Sequence, residues 1–108
     1  MYISVCIVST TQLGFFSMRE NALQALMIKE AKNVNVLCFK IKFIGRRGCP
    51  DLILIFPGGR VVFVEVKIPG GSLSTSQKIV LRLLRKWGVP AYDCDNLTKF
   101  KKILETHR

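Results

Sequence analysis

The sequence predicts a single mixed α/β domain with the element order α-β-β-β-α-β-α. Three observations carry this. The chain has 108 residues, enough for one compact domain and too few for two. Apolar residues make up 49% of it, so a core can form and wholesale disorder is excluded. Two apolar runs, Leu52-Ile53-Leu54-Ile55-Phe56 and Val61-Val62-Phe63-Val64, flank Pro57-Gly58-Gly59-Arg60, which is a hairpin signal between helix-type segments on either side.

Residues 1–17 carry no charge and form an apolar N-terminal extension. With no basic start it is a poor signal peptide, and with polar residues at its middle a marginal membrane span. Three readings stay open: an extra strand over the first eight residues, an unstructured lead-in, or sequence upstream of a start at Met18. The domain proper is expected over residues 18–108. Ser17-Met18-Arg19-Glu20 reads as a capping box opening a helix to about Lys32, with Asn33 as its stop. Val36 to Phe43 alternates like a half-covered strand, with Lys40 and Lys42 on one face and Phe39, Ile41 and Phe43 on the other. Gly45-Arg46-Arg47-Gly48 is a basic loop.

Strands are expected near 51–56 and 61–67. Pro69-Gly70-Gly71 then breaks the chain, and Ser74 with Gln77 repeats the capping-box spacing at the start of a second helix. That helix runs to about Trp87, with Gly88 at its end. Its apolar side reads as Ile79, Val80, Leu83 and Trp87, with Trp87 in the core; Lys78, Arg82, Arg85 and Lys86 form the opposite stripe. Val89 to Cys94 is a short strand. Asp95 or Asn96 caps a last helix ending near Thr106.

Lys and Arg total 17 against 7 Asp and Glu, a net charge of +10. That balance points to a polyanionic partner, nucleic acid ahead of an anionic membrane. The four cysteines are scattered without a CxxC pair, which argues against a zinc site or a disulfide framework and suits a reducing cytosol. His107, the sole histidine, sits next to the C-terminus, where tails fray. A histidine-centred mechanism is not expected.

Against this background two carboxylates and a lysine stand out. Asp51 opens one apolar run; Glu65 and Lys67 close the other. Charges at the ends of buried strands are costly unless paired or bound to a cation. Glu65 and Lys67, two apart on a strand, share a face. If the hairpin sets Asp51 beside Glu65, two carboxylates converge in a way that suits Mg²⁺ or Mn²⁺. Register decides this. A two-residue turn at Gly58-Gly59 pairs Asp51 with Val66 and turns it away; a three-residue loop or a bulge sets it opposite Glu65 or Lys67. The competing reading is a structural ion pair, with Asp51 a turn residue. Glu20 and Gln77 each read as a capping residue or as a side chain aimed at the site. Arg46 and Arg47 suit phosphate contact, and Lys40, Lys42, Lys78 and Arg82 are further basic candidates for a nucleic-acid backbone.

From Met18 to about Asp95 the chain resembles the virus-type replication-repair nuclease (VRR-NUC) domain of the PD-(D/E)xK superfamily. The resemblance rests on the helix with Glu20, Phe39-Lys40, Arg46-Arg47-Gly48-Cys49-Pro50-Asp51, Pro57-Gly58-Gly59-Arg60-Val61-Val62-Phe63-Val64-Glu65-Val66-Lys67, Pro69-Gly70-Gly71, Leu73-Ser74 and Gln77. It implies a restriction-endonuclease-like fold, a mixed central sheet flanked by helices, and metal-dependent hydrolysis of DNA phosphodiesters. It implies that Asp51, Glu65, Glu20 and the Val66 carbonyl hold Mg²⁺ or Mn²⁺, with Lys67 the catalytic lysine and Gln77 part of the catalytic set. Stand-alone members are phage-like, and some resemble dimeric enzymes acting on branched DNA. The expectations that follow are a DNA partner, branched forms included, a homodimer as an option, no membrane, a place in phage-type replication or repair, and the cytoplasm of a host cell. The alternative is a non-catalytic nucleic-acid-binding module that keeps the fold.

Overall fold

The computed structural model describes residues 15–108, with side chains from Arg19 onward. The expected strand over the first eight residues lies outside the described residues. Helix α1 spans Phe15–Asn33. It is already running at Ser17, so the capping box read at Ser17 to Glu20 does not open it, and Glu20 sits inside the helix. The helix stops where Asn35 takes a left-handed conformation (φ 61°) and the Val36 N–H donates back to the Ala31 carbonyl at 3.0 Å. Asparagine tolerates that conformation better than most residues.

The strands are β1 (Leu37–Lys40), β2 (Leu52–Ile55), β3 (Val61–Val66) and β4 (Ala91–Cys94), and the later helices α2 (Thr75–Lys86) and α3 (Leu97–His107). The sheet order is β1-β2-β3-β4. The first two pairings are antiparallel, and β3 with β4 is parallel. A parallel partner requires a crossover, which α2 supplies. Of the two candidate caps for α3, Asn96 is the one used: its Oδ1 accepts from the Lys99 N–H at 2.7 Å.

One face of the sheet is dry. Cys38, Leu52, Leu54, Phe56, Val62, Val64 and Val66 pack with Met27, Ile28 and Ala31 of α1 and Phe100, Ile103 and Leu104 of α3. Burial of this much apolar surface, at about 25 cal/mol per Å², is the main force holding the domain together.

Strand β1 is shorter than expected and turned the other way. Its buried residue is Cys38, so Lys40 lies on the core-facing side and Phe39 on the half-covered side. The two-residue period was legible, but Lys40 and Phe39 mark the strand end, where the core gives way to a cleft. Helix α2 is also rotated from expectation. It lays Gln77, Val80, Leu81 and Leu84, an i, i+3, i+4, i+7 set, toward the sheet, with Val80 and Leu81 buried. Ile79, Leu83 and Trp87 therefore face outward, and Trp87 is 79% exposed rather than in the core. His107 does not fray. It closes α3, and Tyr92 Oη lies 2.7 Å from its Nε2.

The β2–β3 register runs from Leu52↔Val64 to Ile55↔Val61. Phe56 N–H donates to the Arg60 carbonyl (2.9 Å) and Gly59 N–H to that of Phe56 (2.9 Å), closing the three-residue loop Pro57-Gly58-Gly59. Pro57 followed by Gly58 at φ 95° is the combination a type II turn demands. This is the odd-length loop on which the convergence of the carboxylates depends.

Candidate active site

Continuing the register one step past Leu52↔Val64 sets Asp51 opposite Glu65. Asp51 is then fixed by the backbone: its Oδ2 accepts from the Val66 N–H at 2.8 Å. Pro50, fully buried, anchors the preceding turn.

Glu65 is 1% exposed, an unusual place for a carboxylate. Its Oε2 accepts a hydrogen bond from Gln77 Nε2 at 3.0 Å and lies 3.9 Å from Lys67 Nζ. Its Oε1 is buried and without a hydrogen-bond partner among the described residues. Burial holds the Glu65 pKa well above the ordinary carboxylate range; the adjacent Asp51 pushes it the same way, by its charge and by the hydrogen bond the two carboxyls share only when Glu65 carries a proton, against the lowering pull of Lys67. Glu20, on α1, is half-buried; burial raises its pKa, Lys67 opposes this, and Asp51 adds to it. Three carboxylates and one lysine thus feel one another's charge at one end of the sheet.

Gln77 resolves its two readings by fulfilling both. The capping box is complete: Ser74 Oγ accepts from the Gln77 N–H (3.1 Å), and Gln77 Oε1 accepts from the Ser74 N–H (2.8 Å). With the amide oxygen so engaged, the NH₂ end is turned to Glu65. Gly48, at φ +88°, carries this contact from the other side. A Cβ there would lie 2.4 Å from the Ser76 carbonyl oxygen, so only glycine lets the 45–48 loop meet the start of α2.

Beside the acidic pair lies an open cleft of about 450 Å³. Lys40, Lys42, Arg46, Arg47 and Asp51 line it, so four of the six basic candidates gather at the acidic end. Lys78 and Arg82 do not join them; they are on α2, away from the cleft. Asn21 and Gln24 also line the cleft and were missed in the sequence. The available signal was spacing: Gln24 lies one helical turn beyond Glu20 and so shares its face.

Among the described residues no three His, Cys, Asp or Glu side chains enclose an ion by themselves. A pair of carboxylates, one with a buried and unpartnered oxygen, fits a hard ion that keeps several of its waters. A fully caged ion such as structural zinc does not fit. Among the described residues no helix is long and apolar enough to cross a membrane.

A four-stranded mixed sheet between helices, with Asp51 facing a Glu65-x-Lys67 strand end, is the arrangement of the PD-(D/E)xK nuclease class. The comparisons narrow this. The profile of the VRR-NUC domain matches residues 6–96, and the chain belongs to that family. The match opens at residue 6 and so takes in most of the stretch set apart above as an extension. A solved structure of a VRR_NUC domain superposes with a TM-score of 0.75 at 26% identity, covering 83% of this chain and 98% of that one. "Putative nuclease p44" of Acyrthosiphon pisum secondary endosymbiont phage 1 is 35% identical over 52 residues, 48% of this chain. The aligned stretch spans 56% of that relative's length.

Proposed function

We propose that this protein is a divalent-metal-dependent DNA endonuclease that hydrolyses phosphodiester bonds at the Asp51–Glu65 end of the sheet. The observation that carries this is the buried, unpartnered Oε1 of Glu65 beside a second carboxylate. The Lys67 ion pair at 3.9 Å and the Gln77 hydrogen bond both engage Oε2, so neither accounts for Oε1, and an orphaned buried acceptor costs about 1–3 kcal/mol. Asp51, Glu65 and the Val66 carbonyl would hold Mg²⁺ or Mn²⁺, with Glu20 reaching the same ion or its waters. Such an ion, when bound, acidifies a coordinated water and neutralises charge gathering on the attacked phosphate.

The chain's own residues do the rest. Gln77 holds Glu65 by one oxygen and leaves the other free. Lys67, two residues along the strand, donates from its ammonium to the attacking water or to a phosphate oxygen. Arg46, Arg47, Lys40 and Lys42 bind the flanking phosphates and set the strand in the cleft. Lys78 and Arg82 extend that basic surface for a longer arm of DNA. Branched DNA is the favoured substrate, in phage-type replication or repair. A homodimer would set two such sites on one branched duplex, with the outward row Ile79, Leu83 and Trp87 as the apolar surface for a second copy.

The test is a panel of labelled linear, flapped and four-way DNA incubated with Mg²⁺, Mn²⁺ or EDTA. Cleavage in either metal, none in EDTA, and none by Asp51→Ala that still binds DNA is the expected result. Wild-type protein that binds DNA but cuts no form in Mn²⁺ would instead identify a binding module.

A further inference from the structure

The cleft beside the acidic pair holds more than phosphate contacts require. Its lining is of two kinds. Lys40, Lys42, Arg46 and Arg47 are cations suited to a backbone. Asn21 and Gln24 are neutral amides, and Phe43 adds an apolar wall, held edge-on to Phe63 with ring centroids 6.5 Å apart.

Gln24 is the telling residue. It is 6% exposed, lines the cleft, and makes no side-chain hydrogen bond among the described residues. An amide presents two donor hydrogens and an acceptor oxygen side by side. Among the described residues Glu65 Oε1 is the sealed side-chain atom without a partner, so the Gln24 amide is not sealed in: it is the end of a buried side chain left open to the cleft. A phosphate offers only acceptors. The edge of a nucleobase offers donors and acceptors together, and glutamine or asparagine meets that pattern directly. At about 450 Å³ the cleft has the size of a small-ligand pocket and admits one base.

We propose that this cleft receives a single unpaired nucleobase next to the phosphate held at Asp51 and Glu65, with the amides of Gln24 and Asn21 on its edge and Phe43 against its ring. The proposal rests on the nuclease reading for the placement of DNA. It names the substrate class more closely: DNA with at least one unpaired nucleotide at the site of incision. A base stacked within a duplex cannot enter a side pocket without leaving the stack, and an unpaired one gives up least in doing so.

The experiment is abasic scanning by fluorescence anisotropy on the full chain in Ca²⁺, a hard cation with the same oxygen ligands that can bridge the carboxylates to a phosphate, with the DNA checked as uncut afterwards. A flapped duplex carries a tetrahydrofuran residue at one unpaired position after another. The expected result is one position at which loss of the base weakens binding about tenfold, the scale of a stacked and hydrogen-bonded base. Gln24→Leu should bind the intact flap no better than the abasic one, while its affinity for the abasic DNA and its melting temperature match or exceed those of the wild type. Asn21→Ala, at a less buried position, should lose part of the same difference. Equal affinity of wild-type protein for every abasic flap overturns the proposal. So does a Gln24→Leu protein weakened equally on intact and abasic DNA. Cleavage without base sensitivity sinks the pocket and leaves the nuclease; base sensitivity without cleavage does the reverse.

Discussion

Strand β3 has a polar cluster at each end, and the two are built on opposite terms. At its start, Arg60 donates to the His107 carbonyl, Tyr92 Oη meets His107 Nε2 at 2.7 Å, and the His107 ring rests on Phe56 and Tyr92. Each polar group there has a partner of suitable kind. At its end, Glu65 faces another carboxylate, keeps one buried oxygen unpartnered, and lies near a third acid on α1. The first cluster ties α3 to the sheet. The second is held in place against its own electrostatics by Gln77, Gly48 and the Val66 N–H. Polar groups that satisfy one another are accounted for by the fold; a buried one without a partner calls for a further explanation, and the proposed cation supplies it.

This contrast can be broken by mutation, and the largest effect should be on activity. Lys67→Ala should lower cleavage by about 10²–10³-fold, the scale of removing one electrostatic stabiliser, with the melting temperature little changed. A loss of folding of the same order would make Lys67 a structural partner of Glu65 instead. Gly48→Ala should come next. It must adopt φ +88° and meet the Ser76 carbonyl, strain of about 1–3 kcal/mol, which lowers the melting temperature by about 4–8 °C per kcal/mol in a domain this small. Because α2 shifts with it, activity should fall too.

Gln77→Ala removes half of the capping box, about 1 kcal/mol, and frees Glu65, which should cut activity about 10–100-fold as loss of an orienting partner does. Glu65→Gln should act in the opposite sense on stability. The pKa of Glu65 is raised, so its contribution is whole below the unfolded value of 4.5 and is lost as pH rises through the folded value. In EDTA at pH 8 the Glu65→Gln protein should therefore melt above the wild type while being inactive; melting below it would mean that the carboxylate is a satisfied structural group. The smallest effects belong to the other cluster. Tyr92→Phe should cost about 0.5–1.5 kcal/mol and leave cleavage unchanged. Burial, with Arg60 next, lowers the His107 pKa, so its contribution is whole above 6.5 and fades as pH falls below that value. Wild-type protein should lose slightly more stability than His107→Phe between pH 7.5 and 5.5.

Most of the fold was legible because its signals are local. Ser74 and Gln77, three apart, announced α2, and Pro57-Gly58-Gly59 announced a loop whose length could be debated but whose consequences could be written down in advance. Asp51, Glu65 and Lys67 were visible as charges in apolar surroundings. What could not be read was rotation and packing. Helix α2 carries two apolar stripes, Val80-Leu81-Leu84 and Ile79-Leu83-Trp87, and the one that packs on the sheet is the one in phase with the Gln77–Glu65 contact, so Trp87 was misplaced. Ser17 has the identity of a cap but lies within a helix that starts earlier. Gln24 looked like one more polar residue on a helix; only its burial marks it out. His107 looked like a fraying tail because Arg60 and Tyr92, its partners, are far away in sequence.

Binding of Mn²⁺ to the DNA-free protein, followed by electron paramagnetic resonance, tests the cation site most directly. Wild-type protein should take up an ion that Asp51→Ala and Glu65→Gln do not hold, and the bound ion should raise the melting temperature of the wild type alone. Uptake of Mn²⁺ by Asp51→Ala as tight as that of the wild type, or none by either, would contradict it.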